Sequence, residues 1–138
     1  MRLYVPDTKE YIWLAPGGGV EPDEDQRTAL EREVWEETGY RGVAPDSTGP
    51  VWHRRHAFVF CGESYDQEEF FYFWPVEKFV ATGKQNPAEQ EAKLLDELRW
   101  WSLAGIAASD DTFVPLTMAA HLRSLFQAPP ASAIEVGV

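Results

Sequence analysis

Apolar and polar positions change period several times along the chain. Tyr11 to Leu14 is a short apolar run that reads as a strand, and Pro16-Gly17-Gly18-Gly19 breaks it into a loop. Ala29, Leu30, Val34 and Trp35 then recur at helical spacing, predicting a helix from about Gln26 to Thr38. Asp25 suits its N-cap, and Gly39 suits the left-handed position that ends it. Arg41 to Pro50 reads as a loop. Val51 to Phe60 alternates as a strand, Cys61-Gly62-Glu63-Ser64 reads as a hairpin turn, and Glu69 to Trp74 is the returning strand. That strand carries Phe70, Tyr72 and Trp74 on one face and Phe71 and Phe73 on the other, which predicts a sheet covered on both faces.

After Pro75 the chain becomes polar. Ala81 to Pro87 reads as a loop and Ala88 to Leu95 as a short helix or ordered loop. Leu98 to Leu103 predicts another strand. Val114 to Gln127 predicts a helix with Pro115 in its first turn and Leu116, Ala119, Ala120, Leu122 and Phe126 on its buried side. Ala128 to Val138 reads as a frayed, flexible tail. Strands and helices so interleaved imply an α/β fold: one domain over residues 1–127, with no repeat or internal boundary.

Composition narrows this picture. A chain of 138 residues with 44% hydrophobic content and six tryptophans can fill one compact core. The net charge of −11 disfavours a nucleic-acid partner or an anionic membrane, since both are held through Lys and Arg. It also repels phosphates unless bound cations invert the local field. Cys61 is the only cysteine, so no intrachain disulfide can form. Met1 to Tyr11 carries charge and Pro6 but no apolar run of the signal-peptide kind. A cytoplasmic location without membrane attachment is expected.

The informative chemistry lies on the first helix. Glu33, Glu36 and Glu37 fall at i, i+3 and i+4 and project from one helical face. Like charges so close repel, and Arg32 supplies one cation against three anions. Mg²⁺ or Mn²⁺, hard cations that prefer carboxylate oxygen and water, would complete the balance. Taken alone, Glu-x-x-Glu-Glu is more often a solvated acidic face. The spacing around it changes that balance. Gly18, five residues, Glu24, seven residues, then Arg32-Glu33-Val34-Trp35-Glu36-Glu37-Thr38-Gly39-Tyr40 resembles the Nudix box at every one of its fixed positions. The lead-in Trp13-Leu14-Ala15-Pro16-Gly17-Gly18-Gly19 and the late stretch Arg99-Trp100-Trp101-Ser102-Leu103 also resemble that family.

The resemblance implies an α/β/α sandwich around a mixed sheet, and hydrolysis of a nucleoside diphosphate linked to another moiety. By the same resemblance Glu33, Glu36 and Glu37 hold divalent metal, Arg32 orients them, the Gly18 carbonyl adds a ligand and Glu24 supports the junction of loop and helix. The family often adds a distal acidic residue as base or ligand. Glu69, Glu89, Glu91 and Glu97 are the candidates here. Tyr40 stands where an aliphatic residue is usual. Family members also carry a strand or two more ahead of the box than 17 residues allow. A bare sheet edge there implies a homodimer or a poorly stable monomer.

Other features give weaker signals. Trp52-His53-Arg54-Arg55-His56 is the one basic cluster; Arg54 and His56, with Glu69, are candidate substrate contacts against a reading as ordinary strand residues. His53 and His56 lie on opposite strand faces and cannot chelate together. Gly17-Gly18-Gly19 lacks the Gly-Lys-Ser/Thr of a phosphate-binding P-loop. Two other readings stand beside the hydrolase: a non-catalytic ligand sensor, which would tend to lose box glutamates, and an isoprenoid-diphosphate isomerase, which would need a second catalytic set. The expected ligand is a small phosphorylated molecule: a nucleoside triphosphate, a dinucleoside polyphosphate, a nucleotide sugar or ADP-ribose.

Overall fold

The computed structural model describes residues 1–83, 85 and 94–137. Within them the chain runs β1 (Arg2–Val5), β2 (Glu10–Trp13), α1 (Gln26–Thr38), a 3-10 turn (Asp46–Thr48), β3 (Trp52–Phe60), β4 (Glu63–Phe71), β5 (Leu95–Glu97), α2 (Leu103–Ala108), β6 (Thr112–Phe113), α3 (Met118–Gln127) and β7 (Ile134–Glu135). The fold class is mixed α/β, with the sheet divided in two: β5-β1-β2-β6 and β4-β3-β7. Both sheets are mixed, because β2 pairs parallel with β6 and β3 parallel with β7 while the other pairs are antiparallel. Among the described residues, no helix is long and apolar enough to cross a membrane.

The core forms where the two sheets and α3 meet. Trp13 of β2, Trp52 of β3, Phe113 of β6, and Met118 and Leu125 of α3 are buried together with Val51 and Val136. Trp101 sets its ring edge-on to both Trp13 and Phe113, at 5.1 Å in each case, a preferred aromatic arrangement.

Helix α1 starts and stops where its sequence says it should. The Asp25 carboxylate accepts from the Thr28 N–H at 2.8 Å and satisfies one of the orphan donors of the first turn. Gly39 takes φ 76° and returns its N–H to the Trp35 carbonyl. A Cβ at Gly39 would also lie 2.2 Å from Thr82 Oγ1, so both conformation and space require glycine. Replacing Asp25 by Ala is expected to cost about 1 kcal/mol of stability, read as a lower midpoint in urea at unchanged slope.

The structure departs from the sequence reading in several elements. The residues ahead of the glycine run hold two strands, an antiparallel β1–β2 pair, rather than one short strand from Tyr11. In the sheet order β5-β1-β2-β6 neither of these strands is an edge, so the bare edge from which a homodimer was inferred is covered. The β3–β4 turn is a tight two-residue one at Cys61 and Gly62, with φ of 53° and 81°. Of the twist-matched hairpin turns, type I′ has positive φ at both central residues, as here. The Asp7 carboxylate holds this turn by accepting from both N–H groups, at 2.5 and 2.9 Å. Strand β4 therefore begins six residues earlier than Glu69 and ends at Phe71. Its two faces are not both covered: Phe71 packs on the core, whereas Phe70, on the opposite face, is 37% exposed.

The later half differs too. The strand expected over Leu98–Leu103 lies earlier, at β5, and Ser102 instead caps α2 by accepting from the Gly105 N–H at 2.9 Å. A capping serine followed three residues on by a close-fitting glycine outweighs the β-propensity of Trp100 and Trp101. Helix α3 begins at Met118, not Val114, because the Val114 N–H still bonds the Trp13 carbonyl and extends the β2–β6 pairing. Leu116 and Phe126, expected inside, are 66% and 56% exposed; Met118 and Leu125 are the buried positions. The stretch from Ala128 is not simply frayed. Ile134 and Glu135 pair with Trp52 and His53, and Val136 is 3% exposed in the core. The alternation Ile134-Glu135-Val136 is too short a signal to outweigh the small residues and prolines before it.

Candidate active site

Helix α1 gathers the box residues around one guanidinium. Arg32 donates Nε to both Glu24 oxygens at 3.2 and 3.1 Å, and Nη2 to Glu24 Oε1 at 2.6 Å. Its Nη1 reaches Glu33 Oε1 at 2.7 Å and Glu36 Oε2 at 3.4 Å. Nη2 also bonds the Gly19 carbonyl at 2.8 Å, tying the helix to the glycine run. The planar fork of arginine makes this many simultaneous bonds possible.

The glycine run lies directly against the carboxylates. The Gly17 N–H donates to Glu37 Oε2 at 2.8 Å. At Gly18, a Cβ would stand 2.5 Å from Glu33 Oε1, so the Glu33 carboxyl fills the space where a side chain would begin. Only glycine permits this approach. At the other end of α1, the Gln85 N–H bonds the Glu36 carbonyl at 2.6 Å and the Thr82 N–H bonds that of Thr38 at 3.0 Å. Sequence reasoning missed this brace, because a polar stretch such as Ala81–Pro87 carries no periodic signal.

Burial decides between a solvated face and a built cluster. The side chains of Glu24, Glu33 and Glu36 are only 9%, 9% and 12% exposed. Glu33 sits on the inward line of α1 with Ala29, a place where an ionised carboxylate is costly without polar partners. These glutamates are not a water-facing stripe.

The Arg32 hydrogen bonds, followed by the Glu21 N–H, hold the Glu24 carboxyl below its ordinary value, and the same pair raises Arg32. The Thr28 N–H likewise lowers Asp25. Groups with depressed folded-state values stabilise above their unfolded value, about 4, and lose that contribution as pH falls through the folded one. Amide protection at Glu21 and Thr28 is therefore expected to fall as pH drops below about 4, followed by hydrogen exchange. Protection that stays flat down to pH 2 would contradict these pairings.

The donor set fits a divalent metal. Glu33, Glu36 and Glu37 offer hard carboxylate oxygen from one helix face, and the Gly18 cradle brings main chain against them. In this arrangement Glu33 and Glu36 turn toward Arg32, and Glu37 toward the Gly17 N–H. Among the described residues, no group of three His, Cys, Asp or Glu side chains is set to ligate one ion. A shallow hollow at the α2–α3 corner, lined by Asp111, Phe113, Leu116 and Met118, includes none of the box residues.

Other candidates separate. Arg54, His56 and Glu69 come together on the β3–β4 hairpin, where Arg54 is buried rather than an ordinary exposed strand residue. Elsewhere in the basic cluster, Arg55 pairs with Asp66 and His53 with Glu68. Glu97 ends β5 and pairs with Arg2 and Arg99. Burial lowers the Met1 amine to about 6, opposed by the charges of Glu37 and Glu97. Glu89 and Glu91 lie outside the described residues.

A model of the NUDIX domain matches residues 4–122. The chain belongs to the Nudix family. It is 43% identical over 49 residues to an RNA pyrophosphohydrolase of Rhodopseudomonas palustris, covering 36% of this chain and 28% of that protein. It is 57% identical over 30 residues to diphosphoinositol polyphosphate phosphohydrolase 2 of Rattus norvegicus, covering 22% and 17%. A MutT-like protein of Streptomyces ambofaciens is 51% identical over 37 residues, covering 27% and 24%. The matched segments thus span less than a third of these relatives.

Proposed function

We propose that this chain hydrolyses a pyrophosphate linkage in a small phosphorylated substrate, with Mg²⁺ or Mn²⁺ as cofactor. The observation that carries this reading is the set of three largely buried glutamate side chains around Arg32, with the Glu33 carboxyl standing where a Cβ on Gly18 would be. Glu33, Glu36 and Glu37, with the Gly18 carbonyl, would hold the metal. Bound there, a divalent ion neutralises diphosphate charge and supplies a nucleophilic water at neutral pH. Arg32 keeps the carboxylates in one orientation, and Glu24 anchors Arg32 to the loop. A carboxylate then accepts the proton of the attacking water. Among the distal acids, Glu69 is engaged by Arg54, and Glu97 by Arg2 and Arg99, so neither is favoured as the base.

The family resemblance admits nucleoside triphosphates, dinucleoside polyphosphates, nucleotide sugars and ADP-ribose, all of which the net charge of −11 repels unless a bound cation intervenes. The names of the relatives add an RNA and a diphosphoinositol polyphosphate to the set. The test is a panel of all six classes with Mg²⁺, scoring nucleotide, phosphate and pyrophosphate release. Turnover of at least one class, abolished by EDTA, is expected. Failure of the whole panel would remove the hydrolase reading and leave a ligand sensor.

A further inference from the structure

The β3–β4 hairpin carries a second polar group that the box helix does not use. Arg54 and Glu69 face each other in register, and His56 follows two residues on, on the same face. Arg54 donates Nε to Glu69 Oε2 at 2.7 Å, and its Nη2 pairs with the same oxygen. His56 Nε2 stands 3.5 Å from the other Glu69 oxygen, too far for a hydrogen bond.

Two nitrogens of this group are buried without a partner. Arg54, 3% exposed, leaves Nη1 unmet, and His56, its side chain 12% exposed, leaves Nε2 unmet. Among the described residues only one other buried side-chain atom, Trp101 Nε1, shares that condition. Buried polar groups nearly always find an acceptor, and a guanidinium cannot escape the need by losing its proton. A purely structural pair would be expected to use both Glu69 oxygens on the arginine fork. Here a single oxygen takes both Nε and Nη2, and Nη1 is left over. Beyond His56 the same face continues as near-parallel rings, His56 on Phe58 at 4.8 Å and Phe58 on Tyr65 at 5.3 Å, and Tyr65 is 45% exposed. The face therefore opens to solvent toward the hairpin turn.

We propose that Arg54 Nη1 and His56 Nε2 together receive an anionic phosphate oxygen of the substrate, with Glu69 as the positioning residue that fixes both side chains. One arginine charge is balanced by Glu69. With His56 donating from Nε2, Arg54 Nη1 and His56 Nε2 are two donors left without an acceptor for an incoming anion. That the ligand is phosphorylated rests on the hydrolase reading; that the site takes an anion does not.

The test is calorimetric titration of the full chain with inorganic pyrophosphate in EDTA, where no divalent ion can bridge the anion to α1. Measurable binding is expected, weakened at least about tenfold in Arg54→Lys and in His56→Ala, as loss of a charge-assisted hydrogen bond implies. His56→Ala keeps the test sound where Arg54→Lys fails to fold, and thermal melts identify that case. No binding to the wild type, or equal binding by both folded variants, overturns the proposal. Where the substrate panel succeeds, both variants are expected to raise KM more than they lower kcat. Arginine-dependent binding in EDTA without turnover of any substrate would sink the hydrolase reading and leave this site standing. Turnover with KM and anion binding unmoved would do the reverse.

Discussion

Glu37→Gln is expected to lower kcat by roughly 10²–10⁴-fold while leaving the fold intact, since it removes a charge from the proposed reaction centre. The substitution suits this test because it changes little else. Glutamine keeps the length and shape of glutamate, and its amide oxygen can still accept from the Gly17 N–H, now bonded at 2.8 Å. Helix propensity barely changes, so unfolding in urea should move by no more than about 0.5 kcal/mol. What disappears is a negative oxygen able to hold a hard cation or take a proton. Rate and stability thus separate: kcat falls, the urea midpoint stays, and Mn²⁺ affinity measured by electron paramagnetic resonance weakens. A rate equal to wild type on any substrate of the panel would defeat the assignment of Glu37. Loss of rate together with loss of fold would instead show that its bond to Gly17 is structural.

Local rules made α1 legible from the sequence alone, because its cap, its stop and its carboxylate spacing are all encoded within about twenty residues. Asp25 and Gly39 lie where the cap chemistry demands, and the helix bounds agree with the reading. The burial of Glu33 was not legible. Nothing in a Glu-rich face says whether water or a glycine loop covers it; that depends on Gly17–Gly19 folding back onto the helix. The partnership of Arg54 with Glu69 was equally out of reach, because hairpin register depends on the turn. Placing the turn over four residues, not at Cys61-Gly62 alone, hid the cross-strand alignment of Arg54 with Glu69. The β5 and β7 strands are set by long-range pairing with β1 and β3, and short strands of that kind carry almost no periodic signal of their own.

Arg32→Ala is expected to destabilise the protein by about 2–3 kcal/mol, because it strips a largely buried set of carboxylates of its charge-assisted bonds. The Arg32 side chain is 19% exposed, and it bonds Glu24, Glu33, Glu36 and the Gly19 carbonyl at once. Without it, three glutamates are left close together away from water. For a domain of this size the loss corresponds to roughly 5–10 °C in Tm. Arg32→Lys separates charge from geometry. Lysine keeps the positive charge, but one ammonium cannot span Glu24 on one side and Glu33 with Glu36 on the other. It should therefore recover less than half of the lost stability. Full recovery by lysine would mean that the site needs a cation and not a fork, and the orienting role of Arg32 would fall. Mg²⁺ sharpens the comparison. If the carboxylates accept a divalent ion, saturating Mg²⁺ should stabilise Arg32→Ala more than wild type, since the ion meets charges that arginine no longer offsets. An equal Mg²⁺ shift in Arg32→Ala and in Glu33→Gln would place any bound ion elsewhere, and the metal assignment of α1 would fail even with its arginine correctly described.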